Sequence, residues 1–177
     1  PLPFDLLYWN ADSTRMPAMM HSFYLRSMYL ENKLRVPDAV TLKGTPIDLG
    51  RIDVPAYFLS TKEDHIAPWA STYAGARLLK GPVRFVLAQS GHIAGVVNPP
   101  GSKYGHWVPA TGDLPESPEA WLSAATPREG TWWTDWAAWL KAFDEGATVP
   151  ARWPGGGSLP VIEDAPGSYV RVRADDD

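Results

Sequence analysis

The stretch VPAYFLSTKEDHIAPW, Val54 to Trp69, decides the fold. Its first half is a short apolar run opened by Pro55, as buried parallel strands often are, so Ala56 to Ser60 reads as a strand. Its second half breaks into Glu63, Asp64 and His65. Charged groups at the end of a buried strand are costly unless something holds or uses them. Pro68 then stands at a first helical position. Tyr73, Ala76 and Leu79 recur at helical spacing, and Gly81 with Pro82 ends that helix. Val83 to Leu87 is a second strand, which terminates in Gln89, Ser90, Gly91 and His92. Strand, acidic loop, helix, strand and histidine loop make one βαβ unit. Both polar loops then lie at strand C-terminal ends, the edge where open α/β sheets bind ligands.

An acid after one strand and a histidine after the next is the acid–base half of a nucleophile–acid–histidine triad, in the chain order of α/β-hydrolases. The histidine takes the nucleophile's proton, and the carboxylate fixes its tautomer and stabilises the imidazolium. The plainer reading is that Asp64 caps the following helix and His92 is an ordinary loop histidine. Gly91 before His92 allows close backbone approach. The nucleophile has to precede Asp64, and Ser13, Ser22, Ser27 and Ser60 do. None stands in a G-x-S-x-G elbow. The expectation is therefore the C-terminal portion of an α/β-hydrolase fold: an incomplete, mostly parallel sheet with flanking helices, preceded by the end of a helical cap or lid. The opening Pro1, in place of Met, reads as a processed, trimmed or partial chain.

Composition narrows the function classes. The 177 residues carry a net charge of −4 and no Lys/Arg cluster, which argues against a nucleic-acid partner. With 0 cysteines, a disulfide framework, a thiolate metal site and a cysteine nucleophile within these residues are excluded. No HxxxH or paired-carboxylate spacing suggests a metal site. No apolar run reaches the length of a membrane span. His21 falls within a helical stripe, and His106 lies in a loop beside Trp107.

Three regions are expected: residues 1–34 as the end of the cap, 35–146 as the C-terminal half of the catalytic core, and 147–177 as a Pro/Gly-rich linker and tail. In the first, Ser13 or Thr14 caps a helix with Met20, Phe23, Tyr24, Met28 and Leu30 as its apolar stripe, read as core packing with a pocket-roofing lid as the alternative. In the second, Val40 to Leu42 is a short strand candidate, and the chain is loop-rich from His92 to Pro118. Helices follow over 119–125 and 132–143, the latter with Trp132, Trp136, Trp139, Leu140 and Phe143 as a core-facing stripe. In the tail, Tyr169, Val170 and Val172 suggest a short strand.

Several blocks in order carry a resemblance: FDLLYWNADSTRMP (Phe4 to Pro17), YLENKL (Tyr29 to Leu34), EDHIAPW (Glu63 to Trp69), SGHIAGVVNPP (Ser90 to Pro100), LPESPEAWL (Leu114 to Leu122) and APGSYV (Ala165 to Val170). Together they resemble the C-terminal region of polyhydroxyalkanoate synthases, class I type. The resemblance implies an acyltransferase that polymerises (R)-3-hydroxyacyl-coenzyme A into polyester and releases coenzyme A. A cysteine in a lipase-like elbow, which these residues lack, attacks the thioester. By the same resemblance His92 activates that cysteine, and Asp64 supports His92 or helps deprotonate the incoming 3-hydroxyl. His65 is implied to line the coenzyme A or acyl approach, with a structural hydrogen-bonding role as the alternative, and Trp9 to shape the acyl pocket or only pack. No metal and no cofactor are implied beyond the thioester substrate. A homodimer, a cytoplasmic location and the polyester granule surface are. Without its cysteine the chain alone is expected to be inactive. A thioesterase or esterase on the same fold, and a non-catalytic truncated paralogue, are the competing readings.

Overall fold

The computed structural model describes residues 11, 15–144, 146, 148–153 and 155–172. The chain divides into two compact units, Phe23–Asp144 and Pro1–Ser22 with Glu145–Asp177. Helix α1 is Ala18–Phe23, and Tyr24–Leu30 is π-helical, closed by the Glu31 N–H on the Arg26 carbonyl at 2.9 Å. This corrects the core reading of the first stripe. Met20, Phe23, Tyr24 and Leu30 are exposed and Met28 is only partly buried. Bonding five residues back turns successive side chains by less than the 100° of an α-helix, so a pattern spaced for 3.6 residues per turn loses its common face.

In the larger unit, β1 (Val40–Leu42) and β2 (Thr45–Ile47) form an antiparallel hairpin. Its two turn residues, Lys43 at φ 48° and Gly44 at φ 80°, lie in the left-handed region that two-residue hairpins favour. The sequence reading missed β2 because Pro46 counts against a strand, yet an edge strand accommodates proline.

The central sheet is built from β3 (Ala56–Thr61), β4 (Val83–Ala88), β5 (His106–Val108) and β6 (Thr126–Arg128), in that spatial order. Helix α2 (Trp69–Ala76) crosses from β3 to β4, which pair in parallel from Ala56↔Val83 to Thr61↔Ala88. The βαβ unit is as expected. The mostly parallel sheet is not: β5 pairs antiparallel with β4, and β6 antiparallel with β5, so the sheet is mixed. The physical reason lies between β4 and β5. A parallel return needs a crossover that carries the chain the length of the sheet. This segment holds only the one-turn helix α3 (Ala94–Val97), stays at the C-terminal end of β4, and re-enters the sheet from there.

Helix α4 (Pro118–Ala124) is capped by Ser117, whose hydroxyl accepts the Ala120 N–H at 3.3 Å. Trp121 of α4 packs with Tyr73 and Ala76 of α2 and with Phe85 and Leu87 of β4. Phe85 meets both Tyr73 and Trp121 edge-to-face at 5.0 Å between ring centres, the arrangement that the ring quadrupole favours. The same alternation along β4 turns Arg84 to the other face, where it meets α5 (Trp133–Lys141). There Asp135 accepts Arg84 Nε at 2.8 Å and Nη2 at 2.5 Å, and the Tyr57 hydroxyl at 3.0 Å. Burial, then the Asp135 charge, pushes the Tyr57 phenol well above its ordinary value. Burial also works to raise the Asp135 carboxyl, but the hydrogen bond and charge of Arg84 outweigh it and hold it below the usual carboxylate range.

The second aromatic stripe also departs from its core reading. Trp132 and Trp139 turn onto Tyr57, at 6.4 and 5.4 Å between ring centres, but Trp136, Leu140 and Phe143 are exposed. The sheet meets one narrow face of α5, and the stripe is wider than that face. Asp135→Ala leaves a partly buried guanidinium and a phenol without their acceptor, and is expected to cost about 1–3 kcal/mol in chemical denaturation. In the smaller unit the terminal strand is corrected as well: Tyr169–Arg171 is a single 3₁₀ turn. The Glu163 carboxylate accepts both the N–H and the hydroxyl of Ser168, at 2.8 and 2.9 Å, which folds the backbone into a turn and not a ladder.

Candidate active site

The parallel register sets the site. Thr61 and Ala88 end β3 and β4 side by side, so the loops that follow leave the same edge of the sheet. Backbone bonds stitch them together, with Lys62 N–H on the Ala88 carbonyl at 2.9 Å and Glu63 N–H on the Ser90 carbonyl at 3.0 Å. Ser90 holds φ 73°, a left-handed conformation uncommon outside glycine. The close approach expected at Gly91 is only ordinary contact, since a Cβ there would stand 3.7 Å from the Glu63 carbonyl oxygen.

Asp64 and His92 meet. His92 Nδ1 lies 2.8 Å from Asp64 Oδ2. Asp64 Oδ1 accepts the N–H groups of Ile66 at 2.9 Å and Ala67 at 2.8 Å, while the Thr61 hydroxyl reaches Oδ2 at 3.4 Å. The helix-cap reading of Asp64 is corrected: Pro68 is the N-cap of α2 and no side chain caps it, while one Asp64 oxygen secures the loop before the helix and the other faces the histidine. The Asp64 side chain is 7% exposed and that of His92 is 44% exposed. Burial tends to raise the Asp64 carboxyl. The Ala67 N–H, His92, the Ile66 N–H and the His92 charge outweigh that and lower it from 3.8 to about 2. An ionised carboxylate only accepts, so Nδ1 carries the proton in the bond. Neutral His92 then has Nε2 as its basic nitrogen, half open to the outside.

This coupling has a pH signature. The folded Asp64 titrates below its ordinary value, so its contribution to stability is complete above about pH 4 and is lost as pH falls through about 2. Urea denaturation of the chain and of Asp64→Asn at stepped pH should show a gap that narrows over this window. Asp135 is lowered too, so the difference between the two proteins, and not the slope of either, isolates Asp64.

The remaining sequence candidates are not brought into this contact. His65 is exposed and has no hydrogen bond or ion pair among the described residues. Trp9 lies outside the described residues. His106 is buried on β5 and donates Nδ1–H to the Gly130 carbonyl at 2.9 Å. No serine or threonine hydroxyl hydrogen-bonds the imidazole, and no cluster of His, Asp and Glu fit to hold a metal occurs, both among the described residues. Exposed Ile66, Ile93, Val96 and Val97 give the loops around the pair an apolar surface. Sequence reasoning missed α3 and Gly95 within it. The A-G-V-V run is a signal only once its packing is seen.

An acid and a histidine hydrogen-bonded to each other, in the loops that end two adjacent parallel strands joined by a helix, define an α/β protein with a carboxylate–imidazole pair at its sheet edge. No protein-family model matches the chain. Over 98% of its length it is 55% identical to the poly(3-hydroxyalkanoate) polymerase subunit PhaC of Rhizobium meliloti and 50% identical to that of Cupriavidus necator. It is 51% identical to the poly(3-hydroxyalkanoate) polymerase of Methylorubrum extorquens. The chain spans 28, 29 and 28% of these three proteins respectively. Over nearly all of its residues it is thus a homologue of one segment of the poly(3-hydroxyalkanoate) polymerases. Among the described residues, no helix is long and apolar enough to cross a membrane.

Proposed function

We propose that this chain is the acid–base portion, from the C-terminal region, of a class I polyhydroxyalkanoate synthase on an α/β-hydrolase fold. The observation that carries the reading is the 2.8 Å contact between Asp64 and His92 at the C-terminal edge of two parallel strands. In this reading a cysteine supplied by the rest of the synthase gives its proton to His92 Nε2. The thiolate is the form that attacks a thioester efficiently near neutral pH. Its sulfur adds to the carbonyl of an (R)-3-hydroxyacyl-coenzyme A, the carbon–sulfur bond to coenzyme A breaks, and the imidazolium returns its proton to the departing thiolate. The 3-hydroxyl of a second unit then attacks the acyl-enzyme carbonyl and gives its proton to His92, the bond from that carbonyl to the cysteine sulfur breaks, and the released thiolate takes the proton back from His92. Asp64 acts through His92: its Oδ2 is occupied by Nδ1, and its Oδ1 is bound within its own loop.

No cofactor or metal enters these steps. His65, exposed beside Asp64, and Trp9 are assigned to the approach of the thioester and its acyl chain. The homodimer, the cytoplasmic location and the granule surface belong to the same proposal. The isolated chain is inactive, because it has no cysteine.

The test is a chimera in which this chain replaces its homologous segment in the Rhizobium meliloti polymerase. Fed (R)-3-hydroxybutyryl-coenzyme A, it is expected to release coenzyme A and deposit polyester. Free hydroxy acid without polymer would redirect the reading to a thioesterase. No coenzyme A release from a folded chimera would leave only the non-catalytic reading.

A further inference from the structure

Gly95 lies in α3, three residues past His92, where a side chain has no room. A Cβ there would stand 2.5 Å from the Gln89 carbonyl oxygen and 2.5 Å from Thr61 Cγ2, distances that real Cβ atoms essentially never show. Thr61, fully buried at the end of β3, is thus the floor on which α3 rests. The same threonine directs its hydroxyl to Asp64 Oδ2, the oxygen that faces His92 Nδ1. The Gly95 N–H bonds the Gly91 carbonyl at 3.0 Å, and the Val97 N–H the Ile93 carbonyl at 2.9 Å, so His92 sits inside the turn that opens α3. From another direction, Trp132 Nε1 holds the Val96 carbonyl at 2.9 Å. One side chain therefore touches both the acid and the helix that presents the base.

We propose that Thr61 and Gly95 are positioning residues that set the height of α3 over the sheet edge, and with it the distance from His92 to Asp64. The proposal rests on the reading of His92 as the base. A methyl group at position 95 forces α3 outward by roughly an ångström, and displacements of that size at a reacting centre cost about 100-fold in rate.

In the chimera, Gly95→Ala is expected to lower kcat about 100-fold with KM changed less than threefold. Thr61→Val keeps the methyl floor but loses the hydroxyl, and is expected to lower kcat about threefold to tenfold, a modest loss for so long a hydrogen bond. Thr61→Ser alone keeps the hydroxyl and removes Cγ2. Combined with Gly95→Ala it relieves one of the two overlaps, so the double variant should recover at least about threefold over Gly95→Ala. Gly95→Ala by itself overpacks this contact and Thr61→Ser by itself loosens it, so recovery in the double variant locates the effect at their overlap, and the His92 signature separates placement of the base from mere stabilisation of the fold.

The second readout uses the 177-residue chain with ¹⁵N-labelled histidine. Imidazole shifts of His92 report how far the proton sits on Nδ1, and Gly95→Ala should move them toward the free-tautomer values. Wild-type shifts and wild-type kcat in Gly95→Ala would overturn the proposal. So would a lowered melting temperature with the His92 signature intact. If Gly95→Ala does not fold, Thr61→Val decides alone, and a kcat and His92 signature equal to wild type sinks the idea. Should the chimera and its His92→Gln variant turn over equally, the function reading fails, yet the shifts still judge whether Gly95 places His92.

Discussion

His92→Gln in the chimera is expected to lower kcat for coenzyme A release about 10³- to 10⁴-fold, with KM little changed. That loss corresponds to about 4–5 kcal/mol of transition-state stabilisation. Glutamine fills similar space but cannot take up a proton near neutral pH, so the cysteine loses its base while the pocket keeps its shape. Asp64→Asn should fall nearly as far for a different reason. The carboxylate accepts at Oδ2, which keeps the imidazole proton on Nδ1 and leaves Nε2 basic. An amide in its place can present N–H to Nδ1, which moves the imidazole proton to Nε2 and removes the base.

The same pair of variants separates the two roles open to Asp64. If Asp64 works through His92, Asp64→Asn loses the first release of coenzyme A, one per active site, along with later turnover. If it acted on the incoming 3-hydroxyl, the first release would survive and only chain growth would stop. Rapid-quench measurement of the first turnover decides between them. Burst release at the wild-type rate in Asp64→Asn would refute the geometry-based assignment.

Trp121→Ala is expected to destabilise the chain by about 3–5 kcal/mol, a large share of the 5–15 kcal/mol typical of a folded domain. Trp121 is 2% exposed and joins α4 to both α2 and β4 through Tyr73 and Phe85. Its loss opens a cavity where three elements meet, and the Phe85 ring loses an edge-to-face partner and the Tyr73 ring a tilted one. Trp121→Phe should cost clearly less. The indole N–H is buried with no hydrogen-bond partner among the described residues, so phenylalanine sacrifices volume but no polar contact there. Thermal and chemical denaturation of both variants measures the difference. A Trp121→Ala protein within 1 kcal/mol of wild type, as an order of magnitude for a surface change, would mean that the core lies elsewhere.

These expectations draw unequally on sequence and structure. The strand from Ala56, the helix after Pro68, the strand from Val83 and the helices around Trp121 and Trp136 were legible in the chain, because apolar periodicity and proline placement act over a few residues; the stop at Gly81 was not borne out, since that helix already ends at Ala76. So were Asp64 and His92 as the residues that leave two neighbouring strands. Strands β5 and β6 were not: His106 was read as a loop residue and 126–128 as no strand at all, because three-residue strands carry no period and their pairing depends on where the chain stands after a long loop. Exposure of the Met and aromatic stripes escaped for a related reason. A period marks which residues share a face, and only the assembled neighbours settle whether anything covers it.

The site divides the same way. Sequence by itself determined which acid and which histidine end adjacent parallel strands, because a βαβ crossover brings its two loops to one edge whatever the side chains are. Tertiary structure alone decided that Asp64 bridges its own loop and His92 at once, that Ser90 and not Gly91 takes the left-handed turn, and that Thr61 touches both the acid and Gly95. The Asp64–His92 and Thr61–Gly95 contacts join residues far apart in the chain and are set by packing, and the Ser90 turn is a backbone dihedral that its residue type does not announce, so no local pattern encodes them.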